Sequence, residues 1–525
     1  MRQLIIVIRV QQDQVLHEGG LSKPEFRSLP HIHLKGYSMK DINQHKNSWF
    51  KVVIRLSFQS ISAVFILSLI ACSPAYKTPD LGGLYNSLVQ NESPYRNPVI
   101  LIPGLLGSKL VDKSTGTVVW GTFGLNTVSP RTAEGARIIA LPMLSKETLD
   151  EMRDNVVPAG TLDRVRLNFL GYPLGQNTYA HILSILGIGG YRDQSLAEAG
   201  VINYGDRHFT CFQFDYDWRQ DIVESAKNLD AFIKEKKKYV QLEIEKRFGI
   251  KDYDVKFDIV AHSMGGLVAR YYLRYGSEDI PSNGRIPEIT WAGSRHVENL
   301  VMIGTPNAGS IDMLVSLVEG FSPAIFLPEY PPAVLGTMPS LYELLPRSRH
   351  NPVLDENKLP IKDILDPELW IQKGWGLANP EQDRVLRSLL PNIDSPEKRR
   401  KIAIVYLRKV LNRARQFTTV MDMPAKPPLS LRMLLVAGDS EKTSKTVQYN
   451  KNGELNVIET GPGDGTVLRS SALGDERLID TQSSRLISPI QWSQVLFLFS
   501  NHLDLTKHPA FTDNLLYFLL ESQKN

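Results

Sequence analysis

A serine that closes an apolar run and opens a helical pattern is the residue of this chain best placed to do chemistry. In Val255-Lys256-Phe257-Asp258-Ile259-Val260-Ala261-His262-Ser263-Met264-Gly265-Gly266 a strand-like run stops at Ser263, and Leu267, Val268, Tyr271 and Tyr272 follow at helical spacing. This is the pattern of a nucleophile elbow, a strand–serine–helix turn so sharp that the serine takes strained backbone angles. Only Gly or Ala then fits at the closely packed flanks. Such a turn exposes Oγ at the carboxyl end of a buried strand and aims the next backbone N–H, that of Met264, at the same point. The usual first position is Gly; here it is Ala261, a sterically mild change. Ser-x-Gly also occurs at Ser114-Thr115-Gly116 and Ser282-Asn283-Gly284, but neither ends an apolar run and both read as polar turns.

A serine hydroxyl attacks an acyl carbonyl usefully only when a histidine takes its proton and a carboxylate holds that histidine in the right tautomer. After a nucleophile elbow the acid and then the base follow on loops behind late strands. Downstream of Asp464 the histidines are His502 and His508. His502 comes directly after Phe497-Leu498-Phe499 and before a helix expected near Pro509, where a base belongs. His508, against Pro509, reads as a helix-start or surface residue. Asp464 sits in Gly461-Pro462-Gly463-Asp464-Gly465-Thr466-Val467, a glycine-rich loop able to present a carboxylate inward. A plain Asp-Gly turn between two strands has the same signature, and Asp439, just after a strand expected to end at Ala437, is the rival acid. An oxyanion needs two preorganised donors. These are expected from the Met264 N–H and from Leu105, where Gly104 and Gly107 let the backbone approach a substrate; a space-filling tight turn is the alternative. This chemistry calls for no metal and no cofactor.

The elements that must position these residues are legible as alternating runs. Val99–Ile102 is a continuous apolar strand, 209–214 another, and Ile222–Phe248 a helix with Leu229, Phe232 and Ile233 on one face. The elbow strand and its helix follow, then strands at 300–303 and 431–437. Continuous apolar strands alternating with helices predict a mostly parallel sheet covered by helices on both faces. Two long insertions interrupt it. Residues 121–205 are rich in Gly, Pro and Leu; residues 309–428 carry Phe321, Ile325, Phe326, Leu327 and Tyr330, then a basic helical stretch at 398–415. Segments of this length in a compact enzyme are commonly lids, so both are expected to cap the site, with independently packed decoration as the alternative. Lys236-Lys237-Lys238 and Lys398-Arg399-Arg400-Lys401 read as solvated helix faces, the second with anionic lipid as its other reading.

Composition narrows the class. With 525 residues and 42% hydrophobic content the chain can bury a large core. Its net charge of +4 is concentrated at the amino end, because residues 1–71 hold nine Lys/Arg against four Asp/Glu. The near-neutral remainder argues against nucleic acid as a partner. Lys40, Lys46, Lys51 and Arg55 precede an apolar run at 61–71 that ends in Leu69-Ile70-Ala71-Cys72. A basic region, a short apolar run and small residues make a secretory signal, too short for the roughly 20 residues of a bilayer span. Leu-Ile-Ala-Cys also resembles a bacterial lipobox, which implies a signal region at 1–72, acylation of Cys72 and a membrane surface as partner. Ser73 then implies the outer membrane of a bacterial cell envelope. A short anchor or uncleaved signal is the alternative. Residues 1–38 fit no signal pattern, so Met39 is a candidate start. Residues 73–96, polar and rich in Pro, Asn and Ser, read as a tether. With Cys72 acylated, Cys211 has no disulfide partner and is expected to be a small buried side chain.

Four separated segments together resemble the lecithin:cholesterol acyltransferase and lysosomal phospholipase A family. They are Pro98-Val99-Ile100-Leu101-Ile102-Pro103-Gly104-Leu105-Leu106-Gly107-Ser108, Tyr216-Asp217-Trp218-Arg219, His262-Ser263-Met264-Gly265-Gly266 and Gly463-Asp464-Gly465-Thr466-Val467. The resemblance implies an α/β-hydrolase fold over 97–525, Ser263 as nucleophile, Asp464 as acid and His502 as base. It further implies Leu105 and Met264 N–H groups as the oxyanion hole, a mobile lid and an acyl-ester lipid, a phospholipid in particular, as substrate. Tyr216 to Arg219 either shape the pocket or form a buried aromatic beside an Asp217–Arg219 pair. The disulfide-closed lid of extracellular animal members cannot form here, and the 309–430 sequence does not resemble theirs closely. The expectation is a serine-dependent acyl hydrolase or acyltransferase of glycerolipid esters, working through an acyl-enzyme with water or an alcohol as acceptor. A carboxylesterase or triacylglycerol lipase, and a catalytically inactive surface lipoprotein that binds lipid or a partner, are the competing readings.

Overall fold

The apolar runs form a single six-stranded sheet in the computed structural model, which describes residues 79–521 apart from 91, 123–127, 144–148, 150–152, 163–164, 170–171, 177, 282–283, 323–327 and 479–484. Cys72, the signal region, Ser282, Asn283, Ile325, Phe326 and Leu327 lie outside the described residues. The strands are β1 (Val99–Ile102), β2 (Cys211–Gln213), β3 (Phe257–His262), β4 (Val297–Ile303), β5 (Arg432–Gly438) and β6 (Gln494–Leu498). They lie in the order β6-β5-β4-β3-β1-β2 and every pairing is parallel. Alternate side chains of a strand point to opposite faces, and here both faces are dry. Ile100, Ile102, Ile259, Ala261, Leu300, Met302 and Leu435 enter one core; Val99, Leu101, Val260, Val301, Ile303, Leu434 and Val436 enter the other. That double burial is why the runs are continuous rather than alternating in sequence. Cys211, on β2, is 1% exposed.

The chain leaves β1 for β2 on one side and returns to β3 on the other. The loops after β1 and β3 therefore diverge and leave a crevice at the strands' carboxyl ends, where ligands of such sheets bind. The helices that bear on this crevice and its surroundings are α1 (Leu81–Gln90), α2 (Thr178–Ile188), α3 (Ile222–Phe248), α4 (Met264–Tyr275), α5 (Ile311–Glu319), α6 (Pro396–Asp422) and α7 (Pro509–Leu516). The ends of α3 are set locally, by the Asp221 side chain accepting from Val223 N and by Gly249 at φ 70°. Every residue of α4 is buried.

Three sequence expectations need correction. Residues 73–96 are not a tether throughout, because Leu81 and Tyr85, one turn apart on α1, are buried in the same core as Ile182 and Leu186 of α2. The basic run that opens α6 is not uniformly solvated: Arg399 is 1% exposed and pairs with Asp383 at 2.7 Å. A hairpin, Glu441–Tyr449 with Leu455–Gly463, stands between β5 and β6 where no strands were expected, and Asp464 follows its second strand.

The 309–428 segment is bolted to α4 at one end. The last carbonyls of a helix lack intrahelical donors and carry partial negative charge. Those of α6 meet Arg270 and Arg274, which donate to the Met421 and Met423 carbonyls, and Tyr275, whose hydroxyl donates to Val420 O at 2.9 Å. Asp422 closes this end with Arg347 and Arg349, at 2.9 and 2.8 Å. Among the described residues no helix is long and apolar enough to cross a membrane.

Candidate active site

Ser263 sits between β3 and α4 with φ 52° and ψ −127°, the strained conformation the elbow requires. Close packing explains its neighbours. A Cβ on Gly265 would lie 2.4 Å from the Pro103 carbonyl oxygen, and one on Gly266 would lie 2.0 Å from Thr305 Oγ1. Neither position tolerates a side chain, whereas Ala261 lies in the core.

The side chains predicted to act together do meet. His502 Nε2 is 3.0 Å from Ser263 Oγ, and His502 Nδ1 is 2.8 Å from Asp464 Oδ2. A carboxylate only accepts, so Nδ1 carries the ring proton and the bare Nε2 accepts from the serine hydroxyl. The other oxygen of Asp464 takes the N–H groups of Thr466 at 3.0 Å and Val467 at 2.7 Å, the turn its Asp-Gly signature encodes. Burial alone would raise this carboxyl, yet its partner His502 and the hydrogen bonds from the two amides outweigh burial and hold it below the usual range. The rivals are elsewhere. Asp439 pairs with Arg469 at 3.1 Å, and His508 caps α7 by accepting from Ala510 N. Ser114 to Gly116 form a polar turn, with Ser114 Oγ bonded to Asp112.

Facing the triad is the loop 103–108 after β1. Leu105 N–H and Met264 N–H, the second at the first position of α4, donate no hydrogen bond among the described residues. The loop around Leu105 is gripped by aromatic side chains. Tyr216 Oη donates to Pro103 O at 2.9 Å, Trp120 Nε1 to Leu106 O at 2.8 Å and Trp218 Nε1 to Ser108 O at 3.2 Å, while Tyr179 Oη accepts from Gly104 N at 2.8 Å. Gly104 is needed where it stands, because a Cβ there would come 2.7 Å from Cβ of Ser263. The Tyr216–Arg219 motif thus combines both of its readings: its aromatics brace this loop, and the fully buried Arg219 pairs with Asp217 at 2.7 Å and with Asp154 at 2.9 Å. Sequence reasoning missed Trp120 and Tyr179. Trp120 has no motif, and Tyr179 lies in an apolar helix where nothing marks its hydroxyl.

From Leu105 and Leu106 a narrow apolar pocket of about 50 Å³ runs beneath the 309–428 segment. Trp120 and Trp218 line it from the body; Met313, Phe321, Tyr330, Leu335 and Met338 line it from the insertion. The expected cap therefore supplies one wall of a cavity that begins at the loop around Leu105. Among the described residues no group of three His, Cys, Asp or Glu could hold a metal ion.

Residues 194–367, about a third of the chain, match the family model described as lecithin:cholesterol acyltransferase. The resemblance holds. The acyltransferase-like segment contains the Tyr216–Arg219 motif, the elbow and the start of the insertion, whereas Leu105, Asp464 and His502 lie outside it. The sheet, its helices and the elbow give the chain an α/β-hydrolase fold. Solved structures similar to it include the Tle4–Tli4 complex, at 14% identity over 81% of this chain and 98% of that one, with a TM-score of 0.49. EstA from Clostridium botulinum is similar at 12% identity over 86% and 92%, TM-score 0.29. The mature form of the Bacillus licheniformis lipase BlEst2 is similar at 12% over 82% and 95%, TM-score 0.28. No curated protein matches the chain.

Proposed function

We propose that this protein is a lipid-ester hydrolase or acyltransferase that uses Ser263 as its nucleophile and glycerolipids, phospholipids foremost, as acyl donors. The observation that carries the reading is the hydrogen-bonded series Ser263 Oγ, His502 Nε2, His502 Nδ1, Asp464 Oδ2, with links of 3.0 and 2.8 Å. Ser263 Oγ attacks the ester carbonyl carbon while its proton passes to His502 Nε2. The carbonyl oxygen takes the negative charge between the Leu105 and Met264 N–H groups. Collapse breaks the bond to the alcohol, which leaves with the proton from Nε2, and the acyl group stays on Ser263. Water or an alcohol then gives a proton to Nε2, attacks the acyl carbon and restores the serine. Asp464 remains a carboxylate throughout and stabilises the imidazolium. The almost wholly apolar lining of the pocket beside Leu105 suits a fatty acyl chain. The family match of 194–367 supports the same class. We carry the lipobox reading into this proposal: acylated Cys72 would hold the enzyme at a membrane surface, in the outer membrane of a bacterial envelope.

Ser263→Ala is expected to abolish both ester turnover and labelling by a serine-reactive phosphonate; turnover at the wild-type rate in that variant removes the assignment. Absence of any phosphonate adduct on the native protein would favour a non-catalytic lipid-binding lipoprotein. Rates on phospholipid vesicles against soluble short-chain esters separate a phospholipase from a carboxylesterase. Cys72→Ser should release the protein from the membrane fraction.

A further inference from the structure

His262 lies buried beside the nucleophile and is used by none of these steps, yet it stands between the two halves of the site. The Gly104 N–H can only donate, so the Tyr179 oxygen accepts from it at 2.8 Å. That leaves the single phenol proton for Nδ1 of His262, 3.2 Å away. With Nδ1 accepting, the ring proton of a neutral His262 sits on Nε2. Nε2 faces the backbone carbonyl of His502 at 3.3 Å, a group that only accepts. Each link fixes the direction of the next, and no other assignment with a neutral His262 ring satisfies all three. Burial, reinforced by the nearby His502, pushes His262 down to about 3, and burial pushes the Tyr179 phenol well up. Both groups are therefore neutral wherever the enzyme works. From the opposite side the His502 N–H donates to Asp464 O at 2.8 Å, so the backbone of the base is held at both its amide and its carbonyl.

Resting on the serine mechanism above, we propose that Tyr179 and His262 are positioning residues, a hydrogen-bond relay that sets the oxyanion loop and the base in register with one another. One end of the relay holds Gly104, the residue before the Leu105 donor; the other holds the residue that accepts the serine proton. The transition state needs both groups at once, on opposite sides of the reacting carbon, and a misplacement of about 1 Å costs on the order of 100-fold in rate. The ground-state substrate, seated in the apolar pocket, needs neither. Loss of the relay should thus appear in kcat and leave KM in place.

The test uses Tyr179→Phe, which keeps the buried ring, with His262→Asn, which keeps an amide near Nδ1 but cannot reach His502. His262→Gln extends a donor toward the His502 carbonyl. Kinetics on a soluble short-chain ester and unfolding midpoints are measured together. Tyr179→Phe and His262→Asn should each lower kcat roughly 10- to 100-fold at unchanged KM. The double variant should fall no further than the worse single, because both cut one relay, and His262→Gln should recover part of the loss. Losses that multiply, a rise in KM with kcat intact, or wild-type kcat in a folded Tyr179→Phe protein would overturn the relay. If the His262 variants fail to fold, Tyr179→Phe decides alone. Ser263→Ala assayed in parallel separates the two claims: if it is inactive while Tyr179→Phe has full kcat, only the relay fails, and if it is active the serine mechanism fails.

Discussion

Apolar side chains alternate into two cores along β1, β3, β4 and β5, and the middle of the sheet is held by their burial. The 309–428 insertion shares the first of these cores, through residues such as Leu314, Leu341 and Phe417, but the end of α6 is also fastened to α4 by charge. Arg270 and Arg274 of α4 donate to the last carbonyls of α6, and Arg347 and Arg349, within the insertion itself, pair with Asp422 at the same end. The loops that carry Leu105, Ser263, Asp464 and His502 converge at the carboxyl ends of the strands, and the pocket that opens from Leu105 is walled on one side by the insertion. Burial of hydrocarbon does not respond to acid, whereas a carboxylate holding two arginines does. Stability of the cap and competence of the site should therefore be separable by substitution and by pH.

The largest separation is expected at Asp464. Asp464→Asn replaces the acceptor of the His502 Nδ1 proton with a group that can stabilise the wrong tautomer. In such triads this costs about 10⁴-fold in kcat. The Thr466 and Val467 amides keep their acceptor, so the unfolding midpoint should barely move. A large fall in the midpoint alongside kcat would show that the loop, rather than the proton, had been lost.

The next effect belongs to the cap. Burial alone would raise the Asp422 carboxyl, but Arg347 and Arg349 hold it below the usual range. A depressed carboxylate contributes fully above its unfolded pKa of about 3.9, and the contribution drains as pH falls through the lower folded value. Asp422→Asn removes it at neutral pH as well, leaving two cations beside Arg270 and Arg274. The expected cost is about 3 kcal/mol, the lower end for breaking a buried pair. Urea unfolding at neutral pH and in the acid range should show lower stability and a shallower acid slope in the variant; an unchanged slope would mean that Asp422 does not govern it.

A smaller effect tests the wall the insertion lends to the pocket. Ser316, on α5, lines it beside Met313. Ser316→Trp should fill that space, lowering kcat/KM for long-chain esters roughly tenfold relative to short-chain ones, the scale on which apolar pockets discriminate. Equal losses for both chain lengths would argue that the pocket does not hold the acyl chain.

The same contrast decides what could be read from the sequence. Strands β1, β3, β4 and β5 announce themselves because a strand buried on both faces must be apolar along its whole length. The ends of α3 are written locally, in Asp221 and Gly249. Ser263 has a local signature in its flanking glycines and Asp464 a weaker one in its glycine-rich loop, while His502 was reachable through chain order after the elbow. The fastening of α6 was not legible, since Arg270 and Met421 lie far apart in sequence and a guanidinium on a helix reads as solvated. Tyr179 was invisible for a related reason: its ring fits the apolar face of α2, and only the fold brings Gly104 and His262 to its hydroxyl. The α1 helix was hidden by the Pro-, Asn- and Ser-rich stretch around it, although Leu81 and Tyr85 pack into the core.

The smallest expected effect is the one that makes the acid assignment specific. Asp439 follows β5 directly, the position where an acid after this strand would first be sought, and it pairs with Arg469, whose side chain is 44% exposed. Arg469 also lies over the Phe497 ring at 3.9 Å, so its position does not depend on the carboxylate alone. An ion pair this open contributes about 0–1 kcal/mol. Asp439→Asn should leave kcat within about twofold of wild type and stability within that same margin. The comparison with Asp464→Asn is then between two carboxylates near the same sheet edge, one of which touches His502 while the other does not. A loss in Asp439→Asn approaching that of Asp464→Asn would mean that the loop after β5 rearranges in the working enzyme and that His502 takes its carboxylate from there.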